Sequence, residues 1–110
     1  MFNYAIEMGS SNTVIYRVGY GVVLNEPTLI AVEHIGDKNV IKGVGFKAKK
    51  LMGKTNSKVE VIAPIFEDVI ENQTYAKLLL KEFLNKVSSK GLFNNVKAIF
   101  CVPCGLTLKE

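Results

Sequence analysis

The sequence is poor in the residues that most metal and nucleic-acid sites require. It has one histidine, His34, and two cysteines, Cys101 and Cys104, so a four-ligand zinc site lacks its second pair of ligands. Its single arginine, Arg17, is the only side chain able to fork onto a base edge or a phosphate. These shortages argue against a zinc protein and against a nucleic-acid partner.

Long apolar runs are also missing. No stretch of about 18 apolar residues, the length that a helix needs to cross a bilayer, is present. The N-terminus lacks the basic and then apolar layout of a signal peptide. We therefore expect a cytoplasmic protein in which any contact with the inner face of the plasma membrane is peripheral.

The composition is that of an ordinary globular domain. Of 110 residues, 48% are hydrophobic and 22% are charged, which suits one domain with a buried core. The net charge of +4 arises partly from lysines bunched between residues 42 and 58. Lys47, Lys50 and Lys54 recur at helical spacing, so a solvated helix surface is favoured over a nucleic-acid interface.

The first third of the chain alternates apolar and polar residues as strands do. Residues 3–24 predict three strands joined by turns at Gly9 and at residues 19–21. A further strand is predicted over residues 28–34, and Val40 begins its return strand.

Two helices and a final strand are predicted after the return strand that begins at Val40. A short helix over residues 45–52 ends at Gly53, with Phe46, Leu51 and Met52 as its apolar face. The main helix runs over residues 74–88, with Asn72 as its cap and Leu80 outside its apolar stripe. That stripe comprises Tyr75, Leu78, Leu79, Phe83, Leu84 and Val87. A buried strand over residues 96–102 follows.

The turn between the first two strands carries the clearest functional signal. It reads Gly9-Ser10-Ser11-Asn12-Thr13. Gly9 lets the backbone turn sharply and approach a ligand, and the amides and hydroxyls of the next four residues can converge on phosphate oxygens. Glu7, at the end of the preceding strand, is placed to hold a metal-bound water. The same residue types also make plain hairpins, so the turn alone leaves both interpretations open.

Further segments resemble the MreB family in their order and spacing. MreB proteins are bacterial homologues of actin and belong to the superfamily that also holds sugar kinases and heat-shock chaperones. The resemblance runs over about residues 4–107. Besides the turn, it rests on residues 19–32 (GYGVVLNEPTLIAV), 44–55 (VGFKAKKLMGKT), 62–64 (IAP), 99–103 (IFCVP) and 105–107 (GLT). It implies an α/β actin-like, ribonuclease H-like half-fold, with a mixed sheet, a crossover helix and a small inserted lobe.

The same resemblance implies a domain organisation. A single N-terminal actin-like domain, residues 1–110, would have a large lobe of about residues 1–30 and 73–110. Residues 31–72 would form the small lobe. The second half of the nucleotide cleft would lie beyond Glu110, so we expect a fragment, a truncated product or a small protein that has kept half of the fold.

ATP and magnesium are the cofactors that the resemblance implies for the complete cleft. Residues 9–13 would bind phosphate, and Glu7 would bind magnesium through water. The family usually has aspartate where this chain has Glu7, and Asp68 and Asn72 also depart from its pattern. We therefore expect weakened activity, and no ATP hydrolysis at this length.

Leu92 and Phe93 match a pair of apolar residues that can enter the membrane in MreB. Lys86, Lys90 and Lys97 flank them, as anionic headgroups would favour. The alternative is that Phe93 folds back onto the main helix.

The pair Cys101 and Cys104 forms a C-x-x-C motif. Cys101 ends an apolar strand and does not begin a helix, so buried thiols are favoured over a redox site.

The sequence thus predicts the N-terminal portion of an MreB-like, ATP-binding cytoskeletal protein involved in cell shape. Its expected partners are copies of itself or the subunits of actin-like filaments. The alternative is a non-catalytic interaction module that pairs with or caps full-length filament subunits.

Overall fold

A computed structural model describes residues 2–53, 58–67, 69–87 and 96–101. Its helices are α1 (Phe46–Leu51) and α2 (Gln73–Val87). Its strands are β1 (Phe2–Met8), β2 (Asn12–Arg17), β3 (Gly21–Pro27), β4 (Ile30–Ile35), β5 (Lys38–Val44), β6 (Val59–Ile62), β7 (Ile65–Phe66), β8 (Val69–Ile70) and β9 (Val96–Cys101).

The larger sheet, sheet A, has the strand order β3-β2-β1-β9. Strands β1 to β3 form the antiparallel meander that the alternation predicts, with Ile6 opposite Ile15. Strand β9 pairs with β1 in parallel, from Phe2 opposite Val96 to Glu7 opposite Cys101. A parallel pair needs a long crossover connection, which here contains α2. The mixed sheet with its crossover helix confirms the predicted α/β half-fold.

The second sheet, sheet B, has the order β5-β4-β6 and is antiparallel throughout. Its hairpin turns at Gly36, whose φ of 57° lies in the left-handed region that favours glycine. Strand β5 begins at Lys38, two residues before the predicted start, because Ile35 and Lys38 already pair across this short turn. Strands β7 and β8 form a separate two-stranded hairpin that leads into α2.

Helix α2 covers one face of sheet A and supplies much of the core. Its buried side chains are Ala76, Leu79, Phe83 and Leu84, which pack with a cluster that includes Tyr4, Ile6 and Ile15. Leu80 is half-buried and also packs against this cluster, so its expected position outside the apolar stripe is wrong. The reason is that α2 contacts β5 as well as β3, which widens the apolar arc that the helix needs.

The predicted apolar face of the short helix is also wrong in part. Phe46 and Met52 are each 52% exposed, Leu51 is half-buried, and Ala48 is the buried residue. Phe46 lies about 200° around the helix from Ala48, since an α-helix turns once every 3.6 residues. Met52 has an extended backbone at the end of α1, so helical periodicity does not apply to it.

One carboxylate joins both helices to sheet A. Glu26 on β3 is only 15% exposed. Its Oε1 accepts a hydrogen bond of 3.1 Å from the backbone N–H of Phe46, the first residue of α1. Its Oε2 lies 2.6 Å from the Nζ of Lys86, in the last turn of α2. Gly45 makes room for this carboxylate, because a Cβ there would lie 2.0 Å from Glu26 Oε1.

We predict that Gly45→Ala destabilises the protein more than Gly36→Ala does. Both glycines have positive φ, at 63° and 57°, so each substitution carries backbone strain of about 1 kcal/mol or more. The strain is larger at position 45, because Gly45 also has a ψ of −129°, a region that is essentially restricted to glycine. A Cβ at position 36 meets nothing within 4 Å. At position 45 it must displace Glu26 from its two partners, which adds about 2 kcal/mol. Denaturant unfolding measures both; equal losses would contradict the role given to Glu26.

Candidate functional site

The turn between β1 and β2 is closed by a backbone hydrogen bond. The N–H of Gly9 donates to the carbonyl oxygen of Asn12 over 2.9 Å. A Cβ at position 9 would lie 3.2 Å from that same oxygen. Gly9 does not have the positive φ of the turn glycines Gly19 and Gly36. Glycine is therefore favoured at position 9 by the close approach of two backbone segments.

The second half of the turn is hydrogen-bonded to the end of β3 and to the residue that follows it. The Nδ2 of Asn12 donates to Oδ1 of Asn25 over 3.0 Å, and the N–H of Thr28 donates to the carbonyl oxygen of Ser11 over 3.0 Å. The hydroxyls of Thr13 and Thr28 lie 2.9 Å apart and both residues are fully buried. A phosphate contact by the Thr13 hydroxyl would compete with this buried hydrogen bond.

The remaining groups of the turn lie nearer to solvent. Ser10 is half-buried and Ser11 is exposed, so a ligand can reach this part of the turn from outside. Of the three hydroxyls among the residues predicted to bind phosphate, those of Ser10 and Ser11 are thus the accessible ones, since Thr13 is buried. Asn12 is exposed as well, but its amide is bonded to Asn25. Gly9, Asn12 and Thr13 hold the turn in shape.

Glu7 lies beside the turn at the end of β1. It is exposed, and its neighbours across the sheet are Val14 on β2 and Cys101 on β9. The carboxyl ends of the parallel strands β1 and β9 therefore meet at the turn, the edge where open α/β sheets bind their ligands. The fold brings Glu7 and residues 9–13 to one place.

An open cavity of about 300 Å³ adjoins Glu7. Its lining residues are Ala5, Ile6, Glu7, Val14 and Tyr16. In the part of the chain that the structure describes, no group of three His, Cys, Asp or Glu side chains is placed to hold a metal ion. Magnesium is often held by one or two carboxylates together with water and substrate phosphates, so the assignment of Glu7 to magnesium stays a prediction.

Leu92, Phe93 and Cys104 lie outside the described residues, and Cys101 is described only as the last residue of β9. Across the described ranges, no helix is both long and apolar enough to span a membrane.

A polar cluster that the sequence analysis missed joins sheet B to α2. His34 Nδ1 lies 2.7 Å from Asn39 Oδ1, and His34 Nε2 lies 3.1 Å from Glu60 Oε1. Asn39 Nδ2 donates to the hydroxyl of Tyr75 over 3.3 Å. The hydrogen bonds to Asn39 and to Glu60 raise the pKa of His34 above its ordinary value of 6.5, because they favour the ring with both nitrogens protonated. The sequence could have indicated this cluster, because a tight turn at residues 36 and 37 makes His34 and Asn39 direct cross-strand partners.

The chain is similar to known proteins along almost its whole length. Residues 2–110 match the protein family described as MreB/Mbl protein. The chain is 33% identical over 105 residues to the cell shape-determining protein Mbl of Bacillus subtilis, and 32% identical over 109 residues to the cell shape-determining protein MreB of Escherichia coli. Each match covers 96% of this chain and 31% of the relative. The chain thus spans about a third of the length of these relatives.

Solved structures give the same result. The chain is similar to crystal structures of MreB5 of Spiroplasma citri bound to AMPPNP, with a TM-score of 0.78, and bound to ADP, with a TM-score of 0.77. Both are 27% identical in sequence, and each match covers 96% of this chain and 31% of the other.

We predict that Thr13→Val destabilises the protein by about 1–3 kcal/mol, because it leaves the buried hydroxyl of Thr28 without this partner. The double variant Thr13→Val with Thr28→Val should recover most of this loss, since both polar groups are then replaced by groups of the same shape. Urea unfolding of the unchanged protein, the two single variants Thr13→Val and Thr28→Val, and the double variant gives the coupling energy between the two hydroxyls. Additive losses would contradict a direct hydroxyl pair.

We predict that His34 titrates above 6.5 and that Asn39→Ala moves its pKa back toward this value. The raised pKa in the folded protein adds stability that is fully present below the unfolded pKa of 6.5 and is lost as pH rises through the folded pKa. His34 is the sole histidine, so its proton NMR titration needs no assignment. An unchanged pKa in the Asn39→Ala variant would contradict the cluster.

Proposed function

The chain belongs to the MreB/Mbl family, and from this premise we propose that it is the N-terminal part of an ATP-binding, actin-like cytoskeletal protein that acts in cell shape. It carries one side of a nucleotide cleft and does not hydrolyse ATP at this length. Its expected location is the cytoplasm, at the inner face of the plasma membrane. The two-lobe division, with residues 31–72 as the small lobe, belongs to this proposal.

The closed turn at the carboxyl ends of β1 and β9 is the observation that supports the proposal most. Its backbone is fixed by the hydrogen bond from Gly9 to Asn12 and by the hydrogen bond from Thr28 to Ser11. A site that is already rigid loses little conformational entropy when it binds a ligand. The turn is therefore built to position a phosphate.

Each residue of the turn has a distinct role in this proposal. Ser10 and Ser11 contact phosphate oxygens, because they are the accessible hydroxyls. Gly9 gives the approach that a side chain would block, and Asn12 and Thr13 fix the turn through their bonds to neighbouring residues.

Glu7 orders water around magnesium in the complete cleft. Magnesium, when bound, neutralises phosphate charge. The side chain of Glu7 is one methylene longer than that of the aspartate usual in the family, which moves the carboxylate by about 1 Å. Misplacement of this size can lower a catalytic rate about a hundredfold. Phosphate binding and weak hydrolysis are therefore compatible in a full-length relative that carries this glutamate.

Membrane and filament contacts complete the proposal. Leu92 and Phe93 contact the membrane, with Lys90 and Lys97 beside anionic headgroups. Two apolar side chains give only marginal membrane affinity unless a filament multiplies them. The partners are accordingly copies of this chain or the subunits of actin-like filaments.

A second candidate function is a non-catalytic interaction module that pairs with or caps full-length filament subunits. It is favoured by the exposed apolar side chains of Tyr16, Val18, Tyr20 and Val22 around the β2–β3 hairpin. Apolar surface of this kind marks sites where other chains bind.

The test is calorimetric titration of the chain with magnesium-ATP, alone and mixed with the part of Bacillus subtilis Mbl that follows its aligned region. We expect heat of binding only in the mixture, because one side of the cleft holds too few contacts. A Ser10→Ala, Ser11→Ala double variant should weaken this binding, by about 1 kcal/mol for each lost hydrogen bond. Asn85→Ala, on the exposed side of α2, is the control.

The outcomes separate the two functions. Binding by the mixture supports a half-site, and binding by the chain alone would show that the turn works in a cleft of its own. Absence of binding in both samples would overturn the nucleotide proposal and favour the interaction module.

A further inference from the structure

Two residues, Thr28 and Leu29, form the junction between the two sheets. They lie between Pro27, the last residue of β3 in sheet A, and Ile30, the first residue of β4 in sheet B. The N–H of Leu29 donates to the carbonyl oxygen of Pro27 over 2.9 Å, which closes a three-residue turn with Thr28 at its centre. Thr28 is fully buried there.

The junction is also held from the side of sheet B. The carbonyl oxygen of Leu29 accepts a hydrogen bond of 2.9 Å from the N–H of Gly45, the residue that precedes α1. Ile30 is fully buried and pairs with Val44 on β5 and with Ile62 on β6. The junction is thus bonded to both sheets, and a group that it binds is placed relative to both.

Thr28 holds the turn between β1 and β2 at two points. Its N–H donates to the carbonyl oxygen of Ser11 over 3.0 Å, and its Oγ1 lies 2.9 Å from Oγ1 of Thr13. Thr13 and Thr28 are both 0% exposed, so water does not replace the hydroxyl pair when it is broken. Movement of the turn away from the junction is therefore unfavourable.

The first of these contacts sets the direction of a backbone donor. The carbonyl of Ser11 and the N–H of Asn12 belong to one planar trans peptide unit and point in opposite directions. Because the carbonyl points at Thr28, the N–H of Asn12 points away from the junction. This N–H is one of the donors that the sequence predicts for phosphate oxygens.

The second contact decides which hydroxyls of the turn are available. It keeps the hydroxyl of Thr13 in the buried pair with Thr28. The hydroxyls of Ser10 and Ser11 remain near solvent. A phosphate at this turn is therefore left to backbone amides and to these two serines.

We propose that Thr28 is a positioning residue for a nucleotide phosphate. It does not touch the ligand; it acts through Ser11 and Thr13, by fixing the turn to the junction between the sheets. Groups that bind a ligand must be held within about 0.5 Å of their productive positions, and a buried hydrogen-bonded support does this. This role rests on the proposed function of the turn as a phosphate site, and it adds sheet B to the elements that support that site.

The test titrates magnesium-ATP into the chain mixed with the part of Bacillus subtilis Mbl that follows its aligned region. Thr28→Val removes the hydroxyl but keeps the N–H and the shape, and Thr28→Ser keeps the hydroxyl. The double variant Thr13→Val, Thr28→Val removes both hydroxyls and leaves neither unpaired. Gly36→Ala is the control for stability, because it strains a hairpin at the far end of β4 from the junction.

We expect Thr28→Val to weaken the binding of magnesium-ATP about fivefold, the factor that corresponds to one hydrogen bond. The double variant should recover most of the stability but not the affinity, because apolar contacts are not directional. Thr28→Ser and Gly36→Ala should bind like the unchanged chain. A residue with a structural role alone would instead give affinities that follow stability across the variants.

A measurement without nucleotide keeps this role apart from the proposed function. Amide hydrogen exchange of the chain alone reports on the closed turn through the N–H of Gly9, which donates to the carbonyl oxygen of Asn12. Thr28→Val and the double variant should speed the exchange of Gly9 relative to that of Ile15, a buried residue of β2. Thr28→Ser should leave this ratio unchanged.

Two results would overturn the role of Thr28 and leave the proposed function standing. One is magnesium-ATP binding that is as weak in Gly36→Ala as in Thr28→Val. The other is binding by Thr28→Val as tight as that of the unchanged chain, with unchanged exchange at Gly9. A mixture that binds no magnesium-ATP overturns the nucleotide site itself; faster exchange of Gly9 in Thr28→Val then still supports the anchoring of the turn by Thr28.

Discussion

The parallel pairing of β1 with β9 is the constraint on which the rest of this structure depends. It joins the second residue of the chain to β9, the last strand that the structure describes, and it forces α2 to cross the sheet. The crossover places Leu79 and Phe83 of α2 against Ile6 and Ile15 of the meander, which completes the core. It also sets the carboxyl ends of both strands beside the turn at Gly9.

Sheet B joins this frame through the shared apolar core, to which it contributes Ile30, Val32 and Val44, and a small number of polar contacts add to that packing. Glu26 joins the end of β3 to α1 and to α2, and Asn39 links the β4–β5 hairpin to Tyr75 of α2. Both links end on α2, one near each of its ends. The orientation of the smaller sheet is therefore coupled to the helix that forms the core, and a change at one should be felt at the other.

Local pattern was a good guide to the elements and a poorer one to their surroundings. Alternation predicted the meander because a half-buried strand alternates by geometry, and Asn72 was correctly expected to cap α2, where its Oδ1 accepts the N–H of Tyr75. Leu80 and Phe46 were assigned to the wrong environments. Periodicity gives the direction of a side chain around its helix, but not how many neighbours surround that helix.

The sequence alone determined the family, the order of the elements and the position of a phosphate-type turn, because these depend on residue types at fixed spacing. Only the tertiary structure decided what each group in the turn can do. It directs the hydroxyl of Thr13 toward Thr28, leaves Ser10 and Ser11 near solvent, and exposes Tyr16 and Val22 on a face that no described element covers. Such contacts join residues distant along the chain, and only packing brings them together.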